Sequence, residues 1–155
     1  MKELWAPWRN KFLTHPPVKG CIFCQKPRSR SDVKNLIVER GRHVFAILNL
    51  YPYNNGHVMI VANRHVKSFT FLGPEEMLEL FNMANRLMKK LDRILKPHGY
   101  NVGFNIGRAA GAGIEKHVHL HIVPRWLGDT NFMPVLSGTK VISESLKALH
   151  AKLRV

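Results

Sequence analysis

The sequence predicts an α+β fold: a five-stranded, largely antiparallel sheet carrying one long helix, with a second helix at the C-terminus. Three observations lead there. Runs that read as strands gather on either side of a single long helical pattern instead of alternating with helices, which disfavours a parallel sheet. Between Met77 and Leu95 the apolar residues recur at helical spacing. The stretch "KHVHLHIVPRW", Lys116 to Trp126, alternates three histidines with three aliphatics, which is the period of a strand with two chemically different faces.

The elements follow in order. The arm through about Asp32, rich in Pro, Trp and basic residues, reads as irregular. "NLIVER" (Asn35 to Arg40) and "HVFAILNL" (His43 to Leu50), parted by Gly41, read as a hairpin. "YPYNNG" carries strong turn signals, and "HVMIVA" (His57 to Ala62) is a third strand. The long helix opens with Pro74 at its first position and Glu75 and Glu76 in its first turn, and closes with Lys96, Pro97 and Gly99. Its stripe of Met77, Leu80, Phe81, Ala84, Leu87, Met88, Leu91 and Leu95 is expected to lie on the sheet. "NVGFNIG" (Asn101 to Gly107) is the fourth strand, "GRAAGAG" (Gly107 to Gly113) a loop, and the histidine strand the fifth. An amphipathic helix from about Ile142 to Leu153 presents Leu146, Leu149 and Leu153 on one face. One domain is expected over residues 1–155, divided into an arm (1–32), a core (33–126) and an extension (127–155). A chain of 155 residues can bury such a core without disulfides.

Composition narrows the partners. With 45% apolar and 22% charged residues the chain has the balance of a soluble globular protein. No apolar run reaches the length of a membrane span and "MKELWAPWRNKFL" lacks signal-peptide features, so no membrane is expected and a cytoplasmic location is the default. Twenty-four Lys and Arg against ten Asp and Glu give a net charge of +14, which attracts polyanions. The basic residues are scattered and no helix-turn-helix, zinc-finger repeat or RNA-binding aromatic motif accompanies them, so nucleic acid is not expected as the partner. A nucleotide or polyphosphate suits the charge equally well.

His117, His119 and His121 could ligate a metal, act as acid or base, or attack as nucleophiles. Neighbouring same-face positions on a strand lie roughly 6.6 Å apart, which permits shared ligation without demanding it. An anionic substrate would use the three differently: a neutral imidazole nitrogen aimed at phosphorus, a partner fixing its tautomer, and donors around the oxygens. Gly111 and Gly113, just before the histidines, let backbone amides approach such an anion. Cys21 and Cys24 form a lone C-x-x-C, for which metal binding or redox chemistry outranks a disulfide in a reducing compartment. One such pair is half a zinc site, and nine histidines offer the remainder.

"HVHLHIV" resembles the motif that defines the histidine triad superfamily of nucleotide hydrolases and transferases. The resemblance extends through "CIFC", "FAILNLYPYNNGHVMIVANRH" and "NIGRAAGAGIEKH". "VPRWLGDTNFMPVLSGTKVI" and "LWAPWR" look most like the branch that contains the mycobacterial-type diadenosine tetraphosphate phosphorylases. The hydrolase branches carry a Gly-Gln-Ser/Thr signature before the triad. Here Ala112, Gly113 and Ile114 stand there, with one residue more between Asn105 and His117; the longer loop also looks like the phosphorylase branch.

The resemblance implies that His119 is the nucleophile attacking the α-phosphate and His121 a donor to the phosphate. Asn105 would contact the phosphate region, Asn49 the ribose hydroxyls, and Ile47 the base. It also implies a structural zinc held by Cys21, Cys24, His65 and His117, which makes His117 scaffold and a support for its neighbour. A homodimer is expected, and Phe71, Leu72 and Trp126 are residue-level hints of apolar surface that point the same way. The function expected is cleavage of an adenine dinucleoside polyphosphate through a nucleotidyl-histidine, with phosphorolysis favoured and inorganic phosphate as acceptor. The alternatives are a hydrolase of dinucleoside polyphosphates, nucleoside phosphoramidates or aminoacyl adenylates, and a non-catalytic nucleotide-binding or nucleic-acid-associated module.

Overall fold

The computed structural model describes residues 20–130 and 141–154. The expectations carried by Leu4 to Arg9 and by residues 131–140 lie outside the described residues. Five strands, β1 (Ile37–Arg40), β2 (Val44–Leu48), β3 (Val58–Ala62), β4 (Gly99–Phe104) and β5 (His119–Arg125), form one sheet in the order β1-β2-β3-β5-β4. Every neighbouring pair is antiparallel, and the expected α+β class is the observed one.

The middle of the sheet is buried on both faces, which explains why β2 and β3 read as continuous apolar runs. Every residue of both strands is buried. One face, with Val44, Ala46, Leu48, Val58, Ile60, Leu120 and Ile122, packs under the long helix α3 (Pro74–Leu95). Leu80, Met83, Ala84, Leu87 and Leu91 are the buried positions of that helix. Phe81, expected on the stripe, is 51% exposed, and Met83 takes a buried place instead. Leu149 and Leu153 of α4 (Leu146–Arg154) close the same cluster. On the opposite face Ile37, Phe45, Ile47, Met59 and Val61 pack beneath Phe23 of the arm.

Local chemistry moves several boundaries. The arm is not wholly irregular: Ile22–Gln25 form a helical turn, α1, and Asp32–Asn35 another, α2, with a 3-10 turn at Lys26–Ser29 between them. Leu36 closes α2 in the left-handed conformation (φ 62°), so β1 starts at Ile37 rather than Asn35. The helix α3 begins as expected, because Glu76 accepts the Gly73 N–H at 2.7 Å and completes the first turn. Arg64 grips the same carboxylate at 2.8 Å and, with the Gly73 amide, holds its pKa down at about 2. The last helix starts at Leu146, four residues later than the apolar spacing suggests, because Ser145 Oγ accepts the Ala148 N–H and caps it. β4 is shifted toward the N-terminus, so Asn105 and Gly107 stand beyond the ladder. Likewise β5 starts at His119, which leaves His117 just outside it.

The "YPYNNG" loop is fixed against the far end of β5. Buried Asn54 donates to the Pro124 carbonyl at 3.1 Å and to Asp129 Oδ2 at 2.7 Å. Gly56 turns the chain at φ 80°, and a Cβ there would lie 2.7 Å from Leu95 Cδ1 and 2.8 Å from Pro124 Cγ, so only glycine fits. His57 follows immediately and enters the sheet fully buried. No helix among the described residues is long and apolar enough to cross a membrane.

Candidate active site and metal centre

The helical turn α1 brings the two cysteines together, its Cys24 N–H bonding the Cys21 carbonyl at 3.1 Å. On the sheet side, the Val118 N–H bonds the Val66 carbonyl at 2.7 Å, which carries His65 and His117 to the same point. Cys21 Sγ lies 3.2 Å from His117 Nδ1, Cys24 Sγ 3.3 Å from His65 Nδ1, and the two Nδ1 atoms are 3.2 Å apart. All four donor atoms fall within 4.8 Å of one another. Ligands at zinc bond lengths stand about 3.3–3.8 Å apart in a tetrahedron, close to these separations. His117 Nε2 donates to the Ala62 carbonyl at 2.7 Å, which puts the lone pair on Nδ1, facing the other three donors. The residues therefore fit a tetrahedral Cys2His2 metal.

His117 also connects to the next histidine. Its main-chain carbonyl accepts His119 Nδ1–H at 2.9 Å, so the unprotonated nitrogen of His119 is Nε2. Burial pulls the His119 pKa below its ordinary value and keeps the ring neutral. A neutral imidazole with its Nδ1 proton held by a carbonyl is the form that attacks phosphorus.

A second chain of bonds fixes His121. The Tyr53 N–H at 3.0 Å and Asn49 Nδ2 at 3.3 Å both point at His57 Nδ1, so that nitrogen is the acceptor. His57 Nε2 then carries the proton and donates to His121 Nδ1 at 2.9 Å. By elimination the proton of neutral His121 sits on Nε2, a buried atom with no hydrogen-bond partner among the described residues. A buried donor without a partner costs roughly 1–3 kcal/mol, so the position favours an acceptor supplied from outside the protein. Burial, and then the repulsion that a protonated His119 would exert, lower the His121 pKa to about 4.

Phe23 walls one side, its ring centroid 5.5 Å from that of His117 and 5.1 Å from that of His119. On the other side Tyr53 covers His57 at 4.5 Å and stacks on His121 at 5.6 Å. Gly103 pairs with His121 across the ladder, and a Cβ there would meet nothing within 4 Å, so the site is open toward β4.

The sequence-derived residues thus separate into two groups. Cys21, Cys24, His65 and His117 converge on one point, while His119 and His121 stand side by side with centroids 4.7 Å apart. Asn105 reaches the second group through Tyr53 Oη, 3.5 Å away. Asn49 spends Oδ1 on the Tyr51 N–H and Nδ2 on His57, and is part of the loop that sets His57. Ile47 is 1% exposed within the cluster beneath Phe23. The Gly111 N–H is used inside its own turn, bonded to the Arg108 carbonyl at 2.9 Å, and Gly113 is not tied in this way among the described residues. Sequence reasoning missed His57, Phe23 and Tyr53. His57 stands alone at a strand start with no alternation to single it out, and only the β3–β5 register, Met59 opposite His121, brings it beside the triad.

A model of the HIT domain family matches residues 30–126. The chain belongs to the HIT family. An AP-4-A phosphorylase of Mycobacterium tuberculosis is 39% identical over 95% of this chain and 80% of its own length. An asymmetrical bis(5'-nucleosyl)-tetraphosphatase of Schizosaccharomyces pombe is 30% identical over 65% of this chain and 55% of its own. The fold of this HIT protein is that of a zinc-bound histidine triad family protein from Mycobacterium smegmatis, with a TM-score of 0.70, 24% identity, and 87% and 91% of the two chains covered.

The buried imidazoles give this HIT chain a testable acid sensitivity. His121 has a folded pKa of about 4, below its unfolded value near 6.5, so the unfolded chain takes up the proton first. Its contribution is complete above about pH 6.5 and is lost as the pH falls toward 4, roughly 2 kcal/mol of it by pH 5. Urea denaturation at pH 7.5 and pH 5 is expected to give a lower midpoint at pH 5, with the difference reduced in His121→Asn; equal midpoints for the unmodified protein would contradict the burial of neutral imidazoles.

Proposed function

We propose that the chain is a nucleotidyl-transferring enzyme that cleaves an adenine dinucleoside polyphosphate, with inorganic phosphate as the acceptor that completes the reaction. The observation that carries this reading is the state of His119: buried and neutral, with Nδ1–H on the His117 carbonyl and Nε2 without a partner among the described residues. The 39% identity to a protein named AP-4-A phosphorylase supports the substrate class and the acceptor.

In this reading the His119 Nε2 lone pair attacks the α-phosphorus. The P–O bond to the departing nucleoside triphosphate breaks, and AMP stays on His119 through a P–N bond. The His117 carbonyl keeps hold of the Nδ1 proton and steadies the positive charge that the ring acquires. His121 Nε2–H, backed by His57, donates to a phosphoryl oxygen. Inorganic phosphate then attacks the same phosphorus, breaks the P–N bond, and leaves ADP and free His119. Dividing the displacement suits a fixed nucleophile, since each half needs only position and stabilised oxygens. Asn105 and the Gly113 amide are assigned to the phosphate. Asn49 Oδ1 keeps a second lone pair for a ribose hydroxyl, and Ile47 is the floor of the base side.

Zinc is the metal that two thiolates and two imidazoles at this spacing favour. Cys21, Cys24, His65 and His117 would hold it, and when bound it supplies a cross-link between the arm and the sheet behind His119. A second copy of the chain is assigned to the outer edge of β4. That edge has no partner strand among the described residues, and "GYNVGF" offers neither charge nor proline to guard it. Val102, 46% exposed, lies on it, and Ile106, 42% exposed, follows just beyond the strand.

Diadenosine tetraphosphate incubated with and without inorganic phosphate is expected to give ADP and ATP only when phosphate is present. AMP and ATP formed equally well without phosphate would make the protein a hydrolase, and a His119→Ala variant that keeps more than about a thousandth of the turnover would remove the covalent step. Protein purified without added zinc should carry one zinc per chain, and Cys24→Ser should lose most of it together with several degrees of melting temperature; a metal-free protein of unchanged stability would refute the assignment. Sedimentation at micromolar concentration should report a dimer that Val102→Lys converts to monomer, and a monomeric parent protein would exclude the edge pairing.

A further inference from the structure

Tyr53 belongs to neither the triad nor the metal centre, yet its placement is closely determined. Asn54, the next residue, is anchored to Pro124 and Asp129, and the Tyr53 N–H itself bonds His57 Nδ1. The ring stacks on His121 with an interplanar angle of 22°. Its hydroxyl stands 3.5 Å from Asn105 Nδ2, the outer limit of a hydrogen bond. Two donors so spaced hold each other weakly, whereas one anionic oxygen lying about 2.8 Å from each accepts from both. His121, on which the Tyr53 ring stacks, offers a third donor: its Nε2–H is buried and without a partner among the described residues.

We propose that Tyr53 is a phosphate-binding residue of the triad site, its hydroxyl joining Asn105 Nδ2 and His121 Nε2 in a three-donor cage for one phosphoryl group. The inference rests on the reading of the protein as a nucleotide enzyme and adds a residue to it. Tyr53 is 47% exposed, so the side chain is within reach of an entering ligand while its ring packs over His57 and His121. The phenol matters here as a donor. An apolar ring of the same shape would keep the packing and lose the bond.

The test compares AMP with adenosine, which differ by the phosphate alone, in binding to the full chain and to Tyr53→Phe. The variant is expected to bind AMP about tenfold more weakly, the usual size for one hydrogen bond to a charged group, and to bind adenosine as the parent does. An unchanged melting temperature would accompany this, since the ring remains. AMP binding within twofold of the parent overturns the proposal, as does an equal loss for AMP and adenosine, which would make Tyr53 a shape-determining residue only. Asn105→Ala should weaken AMP binding comparably, and in the double variant the losses should fall short of their sum because the two donors share one oxygen. If the parent binds AMP in this Tyr53-dependent way but leaves diadenosine tetraphosphate intact, the cage stands and the assigned reaction fails. If the parent cleaves the dinucleotide and Tyr53→Phe does so with unchanged KM and kcat, the reaction stands and the cage fails.

Discussion

His117 is held at both ends, and the two sites depend on that. Its Nε2–H is bonded to the Ala62 carbonyl, its Nδ1 faces two thiols and a second imidazole, and its own carbonyl takes the Nδ1 proton of His119. Rotating this ring would break the metal set, and moving its backbone would release the tautomer of His119. Because β5 starts only at His119, the position of His117 comes from the Val66 carbonyl bond and the cluster itself rather than from the ladder. The Cys2His2 cluster is therefore part of what holds His119 in place.

The second constraint is dryness. His119 and His121 are neutral because their part of the sheet is covered, by α3 on one side and by Phe23 and Tyr53 on the other. Burial lowers the pKa of His119 and His121, and carbonyls and neighbouring rings then decide which nitrogen keeps the proton. The outcome is directional: Nε2 of His119 is an acceptor or attacker, and Nε2 of His121 is a donor. Two identical side chains, two residues apart, thus receive opposite roles from their hydrogen-bond partners. The surplus of positive charge would act at longer range on any anion, whereas His119 and His121 themselves are neutral.

The order of the elements was legible in the sequence because burial leaves periodic traces. The stripe on α3, the alternation in β5 and the continuous runs of β2 and β3 all follow from which faces are covered. Errors fall where side chains rather than periodicity set the boundary: the Ser145 cap, the left-handed Leu36, and the short helical turns of the arm. Phe81 and Met83 exchange their expected burial because a stripe read from sequence cannot say which edge of the helix meets the sheet.

By itself the sequence determined the chemistry on offer: three histidines at strand-like alternation, a cysteine pair to share a metal with other histidines, glycines that let backbone amides approach an anion, and a positive chain to attract one. Only the tertiary structure decided how that chemistry is divided. His57 becomes the partner of His121 through the β3–β5 register, across 64 positions of sequence, and Tyr53 arrives over both through a loop pinned by Asn54. Such assignments depend on distances between residues remote in the chain and on which hydrogen-bond partner each ring nitrogen meets. Local pattern carries neither, because a histidine has the same letter whichever of its nitrogens holds the proton.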